Sequence, residues 1–142
     1  MTTRDHSFTD RVPTAPEHRA LAEAVGWRHA FAWDAMPASL AASPGGVVAH
    51  HGDEVVGMGR LVGDGVFYFY VQDVAVHPDH QGRGLGSEIL RRLVDQVDAL
   101  APPRGFVGLF AAGSSATLYA RHGFAVHEGM TGMFRVVPDR PR

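Results

Sequence analysis

Apolar positions change their period several times along this chain, and each change marks an element. Leu21, Ala24 and Val25 form a stripe with helical spacing that stops at Gly26. Thr14 is placed to cap that helix, and Pro16 falls in a first turn, which accepts proline. Residues 36–42 read as a second short helix, closed by Pro44-Gly45-Gly46. Residues 47–49 and 55–62 then flank Gly52-Asp53, a hairpin signal, and Gly63-Asp64-Gly65 turns the chain again into the long run 66–76. Three strands joined by tight turns predict an antiparallel meander. Residues 1–13 are polar and read as a loose arm, with a first strand near residues 8–12.

Helical spacing returns at Leu85, Ile89, Leu90, Leu93, Val94 and Val97. Ser87, Glu88, Arg91, Arg92, Asp95 and Gln96 take the opposite face, so this helix buries one side on a sheet. Pro102-Pro103 ends it. Residues 106–111 read as a short apolar strand and 114–122 as a short helix stopped by Gly123. Residues 124–126 and 133–137 are expected to close the sheet as a final hairpin. Antiparallel strands followed by a β-α-β unit make this a mixed α+β domain of 142 residues, read as a single domain over 1–142.

The junction at Val71-Gln72-Asp73-Val74-Ala75-Val76-His77-Pro78-Asp79-His80-Gln81-Gly82-Arg83-Gly84-Leu85-Gly86 carries the candidate chemistry. A buried strand, a polar turn and a glycine-rich loop lead into a helix. That order exposes unpaired main-chain N–H groups at the positive end of the helix dipole, an anion site suited to a phosphate-bearing cofactor.

Composition then removes mechanisms. A net charge of -2 gives no general attraction to nucleic acid or anionic membrane, and neither is expected as a partner. No apolar stretch approaches the ~20 residues of a membrane span, and the N-terminus lacks a signal peptide's apolar segment, so the expected compartment is the cytoplasm. Cysteine is absent, which excludes disulfides, thiolate nucleophiles and cysteine-ligated zinc. All 13 basic residues are Arg, so there is no lysine for a Schiff base or a phosphate-loop ammonium. Nine histidines invite a metal reading. His50 and His51 point to opposite strand faces and no pair has helical spacing with an acidic partner, so no metal is expected.

A triphosphate-binding loop needs Gly-Lys-Ser/Thr, and a dinucleotide fingerprint needs Gly-x-Gly-x-x-Gly with an acidic residue ~20 positions on. Neither is met. Gln-x-x-Gly-x-Gly is met by Gln81, Gly84 and Gly86. Together with Val74-Ala75-Val76-His77-Pro78 it closely resembles motif A of the GCN5-related N-acetyltransferases (GNAT). Leu118-Tyr119-Ala120-Arg121-His122-Gly123-Phe124 resembles the family's second signature, a tyrosine-bearing helix followed by Gly-Phe. The two signatures stand in order and span roughly residues 47–137 of this chain.

The resemblance implies a mostly antiparallel sheet flanked by helices and splayed at the motif A strand. It also implies acetyl-CoA as co-substrate and N-acetylation of a primary amine by direct attack in a ternary complex. The pyrophosphate would lie on the amides of Gln81, Gly82, Arg83, Gly84, Leu85, Gly86 and Ser87, with the pantetheine arm along Val74, Ala75 and Val76. Tyr119 takes the place of the tyrosine that donates to the CoA sulfur, and the N–H near Val74 or Ala75 serves the oxyanion. Relatives often place an asparagine that touches the pantetheine in the 106–113 stretch; here Ala111-Ala112 stands there, so that contact is lost or passes to Ser114 or Ser115.

Asp73 is an acidic residue inside an apolar strand, which is unfavourable unless it is paired, exposed in a cleft or working. It either handles the amine or is a structural carboxylate bonded to backbone or to Arg60. Glu54, in a hairpin, is a solvated charge. Acceptor contacts in this fold come from the first helices and the hairpins, which here offer Trp27, Phe31, Trp33 and Met36, then Tyr70 and Gln72. The aromatics suit a small apolar or aromatic amine, and equally a core or a homodimer interface. The run 70–86 also resembles the amino-sugar-phosphate branch of the family. A non-catalytic acyl-CoA-binding domain and a protein N-acetyltransferase are the alternatives.

Overall fold

The computed structural model describes residues 5–140. Its element order is β1 (His6–Thr9), α1 (Ala15–Ala24), α2 (Met36–Ala41), β2 (Gly45–His51), β3 (Glu54–Gly63), β4 (Tyr68–Val76), α3 (Leu85–Leu100), β5 (Phe106–Gly108) and α4 (Ala116–Ala120). Contacts divide the chain into two compact units, with residues 1–109 in the first and 110–142 in the second.

In the first unit the strands form one sheet in the order β1-β2-β3-β4-β5. The first four pair antiparallel, so the expected meander is present, and β5 adds in parallel to β4. The first strand begins two residues before the expected start and pairs His6 with His51. Part of the expected loose arm is therefore sheet, and its residues 1–4 lie outside the described residues.

Helix α1 starts at a capping box. Thr14 Oγ1 accepts the N–H of Glu17 at 3.3 Å, and Glu17 Oε1 accepts the N–H of Thr14 at 2.8 Å. Such a cap is worth about 1 kcal/mol. Arg11 grips the same carboxylate with both terminal nitrogens, at 2.8 and 3.0 Å. The hydrogen bonds from Arg11 hold the Glu17 pKa at about 2 against the smaller upward push of burial.

The sheet is covered on both faces. Leu85, Ile89, Leu90, Leu93 and Val97 of α3 are buried, as their spacing predicted. A Cβ on Gly59 would stand 2.9 Å from Ile89 Cγ2 and 3.0 Å from Leu93 Cδ1, so α3 lies close on β3 because glycine leaves room. On the opposite face Leu21 of α1 packs with Met58 and Ala75. Phe69 is 1% exposed while its neighbours Tyr68 and Tyr70 are exposed, the expected strand alternation.

In the second unit α4 is followed by turns and irregular chain through residue 140. The expected closing hairpin is absent, and Val126, Met133, Phe134, Val136 and Val137 are all largely exposed. A strand forms only where partner N–H and C=O groups accept its ladder, and alternation alone supplies none. The strand expected over 106–111 is likewise only three residues long.

Candidate functional site

Strand β4 is bulged in its middle. Met58 pairs with Ala75 and Arg60 with Gln72, so Gly59 alone faces the two residues Asp73 and Val74. Asp73 takes φ 56°, a left-handed conformation that aspartate tolerates better than most residues. On its other side β4 pairs with β5 only from Tyr68 to Tyr70. Among the described residues, the ladder from Val71 to Val76 therefore runs on without a strand beside it, where the sheet was expected to splay.

The exit from β4 is tightly built. His77 N donates to Val56 O at 2.8 Å, Gln81 Nε2 donates to Val76 O at 3.0 Å, and Pro78–His80 forms one 3-10 turn. Gly82 and Gly84 follow with φ 78° and 83°, and neither has an atom within 4 Å of a notional Cβ. Both are thus glycine for conformation and not for space. Gly84 is the N-cap of the 16-residue α3 and supplies no side-chain cap. The amides of Leu85, Gly86 and Ser87 form the first turn of that terminus, and Gln81, Gly82, Arg83 and Gly84 are exposed beside them.

Beneath the bulge lies a buried polar network. Asp73 Oδ2 is 2.9 Å from Arg60 Nε and 3.0 Å from His18 Nε2. Arg60 also donates to Ser39 O and Ser43 Oγ at 3.1 Å, and to Ser39 Oγ at 3.2 Å. The side chains of His18, Asp73 and Arg60 are 0%, 6% and 7% exposed. Burial pushes the Asp73 carboxyl up, but the bonds from His18 and Arg60 with the Arg60 charge outweigh it, and its pKa lies below the ordinary value. Phe31 and Trp33 set their ring edges against His18, at 4.9 and 6.0 Å between centroids.

Sequence reasoning named Asp73 and its Arg60 partner but missed His18. The signal was present, since His18 stands three residues before Leu21 on the apolar stripe of α1. Trp27 packs against the Leu21–Met58–Ala75 cluster, half-buried, Phe31 is half-buried against His18, and Gln72 and Tyr70 are exposed on β4. Reading the histidines one at a time also missed a cluster. His6, His51 and His80 lie with ring centroids 5.0 to 5.2 Å apart, and His6 Nε2 is 3.0 Å from His80 Nδ1. No three His, Asp or Glu side chains among the described residues are arranged to hold a metal ion.

In the second unit, Tyr119 and Ser115 are half-buried, at α4 and just before it. Burial raises the Tyr119 phenol above its usual pKa, which keeps it a proton carrier at neutral pH. Its ring meets Phe124 edge-on at 6.3 Å, so the two aromatic members of the second signature pack together. Among the described residues no helix is long and apolar enough to cross a membrane.

Residues 43–126 match the family of the acetyltransferase (GNAT) domain. A soybean protein named histone acetyltransferase TAP1 is 32% identical over 127 residues, covering 82% of this chain and 54% of the relative. GCN5-related N-acetyltransferase 2, chloroplastic, from Arabidopsis thaliana is 37% identical over 82 residues, covering 57% of this chain and 31% of that protein. The chain thus spans about a third to about half of these relatives' length. Among solved structures, the GNAT-family acetyltransferase SP0256 of Streptococcus pneumoniae superposes with a TM-score of 0.79 at 26% identity, covering 94% of this chain and 99% of that one.

Proposed function

The chain belongs to the GNAT acetyltransferase family, and we propose that it moves an acetyl group from acetyl-CoA to the primary amine of a small molecule. One observation carries this reading: a bulged strand, with no neighbouring strand on one side from Val71 to Val76 among the described residues, leads through a tight turn and glycine loop to a helix N-terminus without a side-chain cap. Those residues fit the donor. The open edge of β4 at Val74, Ala75 and Val76 offers main-chain partners for pantetheine amides, and the Gln81–Ser87 amides suit a pyrophosphate. Bound acetyl-CoA supplies a thioester carbonyl that an amine attacks directly.

Each residue then has a task. The N–H of Val74 or Ala75 donates to the carbonyl oxygen as charge builds on it. Asp73 supplies the carboxylate that handles the acceptor amine, and Tyr119 gives a proton to the departing sulfur. No covalent enzyme intermediate is needed, in keeping with a chain that has no cysteine. Trp27, Phe31, Tyr70 and Gln72 are the acceptor contacts in this reading. Work in the cytoplasm is part of this reading.

Thiol release from acetyl-CoA, measured against a panel of amines, tests it. Release that rises with at least one small amine supports the reading. Tight CoA binding with no amine-dependent release would make this a binding domain instead. The soybean relative's name supports a second reading, a protein acceptor. Mass spectrometry on offered proteins tests that one, and the absence of lysine from this chain removes self-acetylation of side chains as background.

A further inference from the structure

We infer that His18 is the proton acceptor for the incoming amine and that Asp73 acts on the amine through it, an assignment that rests on the acetyl-transfer reading above.

The hydrogen-bond pattern decides which imidazole nitrogen is free. Arg60 can only donate, and an ionised carboxylate can only accept. Asp73 Oδ2 takes the Arg60 Nε hydrogen at 2.9 Å and has His18 Nε2 at 3.0 Å. Nε2 therefore carries the hydrogen, and whenever the ring is neutral its lone pair sits on Nδ1. Nδ1 is buried and has no hydrogen-bond partner. Burying such an acceptor unsatisfied is expensive, and a helix stripe that continues to Leu21 would ordinarily carry an apolar residue here.

Asp73 itself is poorly suited to take a proton. The Arg60 guanidinium neutralises it, and both of its hydrogen bonds favour the ionised form. What it does well is hold the imidazole, as a carboxylate orients a histidine base in other enzymes. Asp73 is thus a positioning residue and His18 the catalytic one. Phe31 and Trp33, the rings against His18, are half-buried between α1 and α2, where Trp33 opens the 3-10 turn Trp33–Ala35 and donates its indole N–H to Arg28 O at 3.1 Å. The assignment requires one of these rings to turn aside as the acceptor enters.

The step balances as follows. The amine nitrogen forms the N–C bond with its lone pair, and its proton passes to His18 Nδ1. The C–S bond breaks with its electron pair going to sulfur, which takes a proton from Tyr119. Both side chains re-equilibrate with solvent afterwards.

His18→Gln separates the two roles of the ring. The amide nitrogen of glutamine can still donate to Asp73, but no basic nitrogen remains. We expect kcat to fall about 100-fold or more, with acetyl-CoA affinity unchanged and the acid-side fall of the wild-type pH–rate profile lost. Wild-type kcat with a wild-type pH profile in that variant would overturn the assignment. If the variant does not fold, nitrogen NMR of histidine-labelled wild-type protein reads the tautomer directly. A bare Nδ1 whose resonance moves on adding CoA with an amine supports the assignment, and an Nδ1 carrying its own hydrogen in the free protein overturns it. If no amine raises thiol release by the wild type, the acetyl-transfer reading and this inference fall together. If the wild type turns over and His18→Gln matches it, only the inference falls.

Discussion

Replacing Arg60 with methionine keeps an apolar stem of similar length and removes the guanidinium. Asp73 then retains only His18 as a donor in a place where its side chain is 6% exposed. Leaving one member of a buried ion pair behind costs about 3–5 kcal/mol. The surviving bond from His18 argues for the lower end, about 3 kcal/mol, out of a domain stability on the order of 5–15 kcal/mol. Urea unfolding followed by circular dichroism at pH 7 reads this directly. The double variant Arg60→Met/Asp73→Asn removes the stranded charge as well, and we expect it to be more stable than the sum of the single effects by about 1–2 kcal/mol. The pH dependence has a definite sign. In the wild type the Asp73 pKa lies below its unfolded value of about 3.9, so its contribution is present above that pH and lost as pH falls through the folded pKa. In Arg60→Met burial is left to dominate, the pKa rises, and protonation relieves the penalty. The gap between the two proteins should therefore be widest at neutral pH and narrow as pH falls toward about 4. A gap under about 1 kcal/mol at pH 7, or one that does not change with pH, would refute the reasoning.

The same logic extends to three other places. Glu17→Gln should lower stability at pH 7 by about 1 kcal/mol, an effect that fades as pH falls from above 4.5 to about 2, where the wild-type carboxylate is itself protonated; equal losses at pH 7 and pH 2 would contradict it. Gly59→Ala places a methyl 2.9 Å from Ile89 Cγ2 and should cost about 1–3 kcal/mol in thermal or urea unfolding, because α3 must lift from β3. Tyr119→Phe should reduce turnover while leaving acetyl-CoA affinity nearly unchanged, by kinetics and calorimetry; an equal loss of affinity would make the residue structural.

Much of this molecule is legible along the chain because its signals are local. The Thr14 cap of α1, the hairpin at Gly52-Asp53 and the buried stripe of α3 each depend on residues within a few positions of one another. The glycine loop is legible for the same reason, since Gly82 and Gly84 are needed for backbone conformations at their own positions. The closing hairpin failed because alternation at residues 124–126 and 133–137 states a preference but provides no ladder partner. His18 was passed over because a histidine on an apolar stripe has no meaning until its distant partner is known.

By itself, then, the sequence determined the antiparallel meander, the glycine loop at the start of α3 and the family to which those motifs point. It also placed a carboxylate at position 73 and suggested Arg60 as its partner. Tertiary structure decided what that carboxylate meets. The bulge opposite Gly59 turns Asp73 into a left-handed conformation, and α1 delivers His18 to it across 55 residues of chain. Local propensity cannot encode such a meeting, because its geometry exists only when two elements are packed on one sheet and water has been excluded between them.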